Sequence, residues 1–238
     1  MKRNRKLDYD QADRVTNKMQ DSHIMGQYLT LRTNVECFMK KNKMKSLIIT
    51  SPEFQDGKSM VSANLAVAFA KRNYRTLIID ADIRHASLQC YFQEKNNHGL
   101  CSIINGKKQF NDVVIRSRVK NLDLLTAGSI SADPTELLAS NKMTELLVEV
   151  NKIYDLVIFD TPNILGVVDT RILAEVCDVS LLVVRSMKTN LEKSAKAKEI
   201  LENAEAELIG VVLNDHAKDD KLAILQKYDD SEIDIAYR

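Results

Sequence analysis

Short runs rich in Leu, Ile and Val recur along this chain at Leu47 to Thr50, Thr76 to Asp80, Leu122 to Thr126, Leu156 to Asp160, Ser180 to Arg185 and Ile209 to Asn214. They are nearly continuous in hydrophobicity rather than alternating with polar residues, which is the pattern of strands covered on both faces. Between them, Met60 to Asn73, Pro134 to Lys152 and Leu191 to Ala204 read as helical stretches. Strands alternating with helices predict an α/β fold: a doubly wound, mainly parallel sheet with helices on both faces. Ligands of such sheets bind beyond the carboxyl ends of the strands. Upstream, Tyr28, Leu31, Val35 and Phe38 fall at helical spacing and predict a helical extension over residues 1–44. The main domain then spans 45–216 and a tail spans 217–238.

The chemistry sits where that rule wants it. The first strand runs into Ser51-Pro52-Glu53-Phe54-Gln55-Asp56-Gly57-Lys58-Ser59 and then into a helical stretch beginning near Met60. A strand, a short loop ending Gly-Lys-Ser and a helix form the phosphate-binding arrangement of P-loop NTPases. Backbone donors from Asp56 to Met60 and the partial positive charge of the helix N-terminus face the phosphates. Lys58 reaches the outer ones, and the Ser59 hydroxyl can hold Mg²⁺. The first glycine of the full motif is replaced by Pro52, so the tripeptide draws its meaning from this context. An ordinary βα turn is the competing reading.

Two acidic constellations follow. In Asp80-Ala81-Asp82-Ile83-Arg84 the carboxylates are two residues apart at a strand end, so both can face one site. One can accept a proton from an incoming hydroxyl while the other holds Mg²⁺ through water, and Arg84 can fix the pair or meet phosphate charge. Either aspartate could instead cap the next helix. In Val157-Ile158-Phe159-Asp160-Thr161-Pro162 an aspartate ends a buried strand, as does the residue that orients magnesium in nucleotide-hydrolysing folds. Its competing reading is a strand-terminal turn.

Charge and composition narrow the function. A net charge of +1 speaks against a nucleic-acid-binding domain, leaving local basic clusters at Lys2 to Lys6 and Lys40 to Lys45. No apolar run approaches the roughly 18 residues that cross a bilayer, and a cytoplasmic protein is expected. The four cysteines, Cys37, Cys90, Cys101 and Cys177, and the four histidines, His23, His85, His98 and His216, show no metal-ligand spacing.

Taken together, Asp56-Gly57-Lys58-Ser59 with Asn64-Leu65-Ala66, Asp80 to Arg84, Asp160-Thr161-Pro162, Val183-Val184-Arg185 and Gly210 to Asn214 resemble the bacterial tyrosine kinases. Tyr28 to Asn34 and Pro134-Thr135-Glu136-Leu137-Leu138 resemble further landmarks of that family, and the likeness covers about Gln20 to Asp215. It is closest to the separate kinase subunit of capsule and exopolysaccharide machinery, the CpsD/CapB type. The resemblance implies a P-loop enzyme that uses ATP and Mg²⁺ to phosphorylate tyrosines, largely on the tail of a neighbouring copy. By that resemblance Lys58 binds phosphates, Asp80 is the base toward the phenol, and Ser59, Asp82 and Asp160 organise the metal. Asn214 matches an adenine-contacting position, and Tyr228 and Tyr237 are the acceptors in the tail. A membrane activator protein with a cytoplasmic tail is the implied partner, holding the kinase at the inner face of the membrane.

The chain also departs from that pattern. Gln55 stands where the family carries a loop residue before Glu-Gly-Lys-Ser that is commonly glycine, so its Cβ strains the loop if the backbone needs positive φ. Of a Glu-x-x-Arg-x-x-Arg assembly motif, aligned with Gly26, Leu29 and Arg32, only Arg32 remains, and Ala86, Gln89 and Asn163 replace other usual residues. An ATPase switch of the ParA/MinD kind shares the fold, although Glu53 has the wrong charge for its loop lysine. A weakly catalytic regulator that keeps the fold and partner surface is the third reading.

Overall fold

A computed structural model describes residues 22–129, 133–215 and 224–225. Its centre is an eight-stranded sheet: β1 Ser46–Thr50, β2 Thr76–Asp80, β3 Ile115–Arg116, β4 Leu122–Leu125, β5 Leu156–Asp160, β6 Val179–Arg185, β7 Glu207–Asn214 and β8 Ile224–Leu225. The spatial order is β3-β4-β2-β5-β1-β6-β7-β8. The six strands from β4 to β7 are parallel, and the two-residue edges β3 and β8 pair antiparallel. The expected doubly wound, mainly parallel architecture is therefore present. β8 draws two residues of the expected tail onto the sheet.

Alternate residues of each strand feed two separate cores. Ile48, Leu77, Ile79, Val157, Phe159 and Leu182 face one, while Leu47, Ile49, Ile78, Leu156, Ile158 and Leu181 face the other. That period of two, with both faces apolar, is why the strands read as unbroken hydrophobic runs. The second core is covered by α1 (Ser22–Asn42) and α2 (Lys58–Lys71). Tyr28, Leu31 and Val35 are buried at helical spacing as the sequence suggests, and Met39 rather than Phe38 completes the stripe. The helix α3 (Leu88–Phe92) joins α1 and α2, turning Leu88, Tyr91 and Phe92 to the same core, while α4 (Leu100–Ile104), α5 (Phe110–Val113), α6 (Pro134–Leu138), α7 (Asn141–Ile153), α8 (Asp169–Ala174) and α9 (Leu191–Glu202) lie on the first face.

The helix expected over Pro134 to Lys152 is two helices. Ser140 is extended at φ −75°, ψ 150°, and its hydroxyl donates to the Leu137 carbonyl at 2.7 Å. A serine that satisfies the backbone locally stops one helix and starts the next. Tyr228, Tyr237, His216 and the basic start of the chain lie outside the described residues.

Candidate active site

β1 stands at the middle of the sheet, between β5 and β6, so the loop after it opens on the crevice beyond the strands. Gly57 closes that loop at φ +94°, and a Cβ there would lie 2.0 Å from the Asn214 amide nitrogen. Only glycine fits. The first helical bond of α2 is Val61 N–H to the Gly57 carbonyl, at 3.1 Å. The amides of Lys58, Ser59 and Met60 therefore have no partner within the helix and are available to an anion at its positive end. Gln55 does take a positive φ, +68°.

Register places the acids. Asp80 pairs with Asp160 across β2 and β5, and both continue the face of Ile78 and Ile158 that α2 covers. Both are fully buried. The Asp80 Oδ2 accepts from the Ser87 and Leu88 amides, each at 2.9 Å. Ser59 and Ser62 hydroxyls donate to Asp160, Ser62 at 3.1 Å to Oδ1. Asp80 Oδ1 and Asp160 Oδ2 have no hydrogen-bond partner. Burial, and next the charge of Asp160, push the Asp80 carboxyl well up. Burial also pushes Asp160 up, against the opposing charge of Lys58.

Lys58 answers this charge. Its Nζ lies 3.0 Å from Asp82 Oδ2 in a pair that is almost wholly buried. Burial pulls its pKa down, but the charges of Asp160, Asp82 and Asp80 outweigh that and the net shift is upward. Asp82 Oδ1 caps a 3₁₀ turn, Ile83–His85, through the His85 amide at 3.0 Å. The capping readings of Asp80 and Asp82 thus both hold: backbone amides fix one oxygen of each carboxylate.

Three of the expected site residues make contacts that the sequence did not suggest. Arg84 does not clamp the acidic pair; its Nε donates to Asp169 Oδ2 at 2.8 Å and its Nη2 to Thr135 at 2.9 Å. Asp169 is fully buried, so its carboxylate needs that cation. The Asp56 side chain turns away from the crevice and accepts from the Glu53 amide at 2.9 Å and the Thr189 hydroxyl at 2.7 Å. The Asn214 amide donates to the Asp56 carbonyl at 2.9 Å and so braces the loop. Ser62, Asp169 and Thr189 were not foreseen. Only Ser62 had a signal, lying one turn after Ser59.

The residues present fit a hard divalent cation. Two orphaned, buried carboxylate oxygens and a serine hydroxyl form an all-oxygen donor set. Among the described residues no three His, Cys, Asp or Glu side chains converge as a direct cage. That suits Mg²⁺, which keeps waters and takes the rest of its ligands from phosphates.

Residues 55–203 match the AAA domain family. The chain is 45% identical over 188 residues to a protein named tyrosine-protein kinase YwqD of Bacillus subtilis, covering 79% of each. The chain belongs to the bacterial tyrosine kinases. Within that family, the chimerical protein CapA2B2 superimposes with a TM-score of 0.82 at 33% identity, over 88% of this chain and 92% of that one. Another relative, the tyrosine-protein kinase ptk of Acinetobacter johnsonii, is 32% identical over 83% of this chain but only 27% of its own length. No helix among the described residues is long and apolar enough to cross a membrane.

Proposed function

We propose that the chain is an ATP- and Mg²⁺-dependent protein-tyrosine autokinase serving capsule or exopolysaccharide synthesis. The observation that carries this reading is the buried trio Asp80, Asp82 and Asp160 gathered about Lys58 at the N-terminus of α2, with two carboxylate oxygens unpartnered. So concentrated a negative charge beside a phosphate cradle suits a polyanion delivered with a cation.

Each residue has a role by position. The amides of Lys58, Ser59 and Met60 and the Lys58 ammonium bind the β- and γ-phosphates and orient the terminal phosphorus. Asp80 is the base: Oδ2 is locked by two amides, Oδ1 is free, and its raised proton affinity suits accepting the phenol proton near neutral pH. As that proton passes to Asp80, the phenol oxygen bonds to the γ-phosphorus, the bond to the bridging oxygen breaks and ADP leaves. Mg²⁺, held by Ser59, Asp82 and Asp160 largely through its waters, would neutralise phosphate charge. Arg84 contributes by tying the acidic turn to Asp169 and Thr135 rather than by touching phosphate.

Tyr228 and Tyr237 in residues 217–238 are the proposed acceptors, presented to a neighbouring copy. The partner is a membrane activator whose cytoplasmic tail holds the chain at the inner face of the membrane. The greater length of the Acinetobacter relative supports a kinase module that works with further segments. Incubation with ATP and Mg²⁺, with and without a candidate activator, followed by intact-mass and fragment analysis, tests the reading. Added mass of phosphate on Tyr228 or Tyr237 supports it; phosphate release without labelled protein makes the chain an ATPase; neither outcome leaves a regulator that has lost catalysis.

A further inference from the structure

The phosphate loop holds two left-handed residues, and one of them is not glycine. Gly57 at φ +94° is at ease there, whereas Gln55 at φ +68° carries a Cβ in a conformation that L residues reach only at a cost. Something outside the loop must hold it. The polar braces from outside the loop come from one flank, the carboxyl ends of β6 and β7 and the turn between β6 and α9, while the Phe54 ring meets that of His85.

Thr189, on that turn, is the hub. Its hydroxyl accepts from the Arg185 amide at 2.8 Å and donates to Asp56 Oδ1 at 2.7 Å. The other Asp56 oxygen accepts from the Glu53 amide at 2.9 Å, closing the loop across Gln55. The Arg185 Nη1 reaches the Gln55 carbonyl at 3.4 Å, while its Nε and Nη2 pair with Asp215 at 2.8 Å. Asn214 holds the Asp56 carbonyl, and Lys193 on α9 forms an ion pair with Glu53. Residues 53, 55 and 56 are thus each tied to the same flank. The Thr189 hydroxyl joins this flank's backbone to the Asp56 carboxylate.

We infer that Thr189 is a positioning residue of the phosphate loop, acting through Asp56 to keep Gln55 in its left-handed conformation, the loop being the nucleotide site proposed above. A hydroxyl is needed because the group must accept and donate at once, which a methyl does not. The brace matters because Gln55 is not glycine, and this ties positions 55 and 189 in one device.

Titration calorimetry of the full chain with Mg·ADP tests it. Thr189→Val preserves the shape and should weaken binding about 10-fold through the lost charge-assisted bond. Thr189→Ser keeps the hydroxyl and should bind within about twofold of the parent. In a Gln55→Gly background the same Thr189→Val change should cost less than about threefold, because glycine needs no brace. Wild-type-like binding by Thr189→Val, or an equal loss in both backgrounds, overturns the inference. Melting of the ligand-free variants separates general unfolding from loop positioning; if Thr189→Val melts early, the comparison between backgrounds still decides. A parent chain that gives no heat with Mg·ADP overturns the nucleotide reading itself, an outcome distinct from a parent that binds and a Thr189→Val that binds equally well.

Discussion

The two ends of the sheet treat their carboxylates in opposite ways, the half-buried Asp178 at one end and the fully buried Asp80 and Asp160 at the other. At the amino ends Asp178 accepts from the Lys45 amide, the Ser46 amide and the Ser46 hydroxyl at 2.8, 2.8 and 2.7 Å, and its own amide donates back to that hydroxyl at 2.9 Å. At the carboxyl ends Asp80 and Asp160 face each other with one oxygen each unpartnered. Satisfied acids stitch strands together; unsatisfied acids side by side destabilise the fold that contains them. On the proposed function, a chain that tolerates the second arrangement beside its loop gives up stability for chemistry.

The largest effect should come from removing the cation that the carboxyl-end acids share. Lys58→Met takes away the proposed phosphate ligand and leaves Asp82, Asp80 and Asp160 without the cation they share. We expect tyrosine phosphorylation to fall by about 10³-fold or more, a scale set by loss of a charge that stabilises the transition state. Phosphotyrosine yield against time in the presence of the activator measures this. Activity within tenfold of the parent would dismiss Lys58 from the site, and with it the contrast between the two ends.

Neutralising one aspartate at each end sharpens the same comparison. Asp178→Ala strands two backbone amides and should cost about 2–4 kcal/mol in denaturant unfolding, with Mg·ADP affinity unchanged. Asp160→Asn keeps an acceptor for Ser62 but removes a buried like charge from Asp80, and should stabilise the ligand-free chain by about 1 kcal/mol while abolishing Mg²⁺-dependent binding. Opposite signs are the point. If both variants lose stability, the carboxyl-end acids are structural after all.

The fold was legible because its physics is local and repetitive. Strands buried on both faces must be apolar at every position, and β2 and β5 fall at the residues expected from that rule alone. The acids were legible because they end such strands, where the backbone runs out and a polar residue has little structural reason to be. What the sequence concealed lies in long-range polar pairing. Thr189 meets Asp56 across 133 positions, and Arg84 meets Asp169 across 85. Neither pair has a period, a spacing or a neighbour that announces it, so Arg84 was read toward the nearest acids and Asp56 toward the ligand. The division of the helix expected from Pro134 was hidden for a smaller reason, a single serine whose hydroxyl competes with the backbone.

The smallest effect is a difference in how the two ends respond to pH. Asp155, where β5 begins, is held below the usual carboxylate range by hydrogen bonds from the Arg75 side chain, against a small opposing effect of burial. A group whose folded pKa is depressed lends stability above its unfolded pKa and loses it as pH falls through the folded value. Asp80 and Asp160 are raised, so their stabilising contribution is complete below the ordinary carboxylate range and is lost as pH rises through their folded values. The Arg75–Asp155 pair is more than a third exposed on both sides, so screening limits it to about 0.2–1 kcal/mol at low salt. Unfolding of Asp155→Asn from pH 3 to 8, without Mg²⁺, should therefore differ from the parent by that amount at pH 7 and converge with it at pH 3. Asp160→Asn should show the reverse, converging at acid pH and gaining on the parent as pH rises. Parallel curves for the two variants would mean that the ends of the sheet do not differ in the way their hydrogen bonds imply.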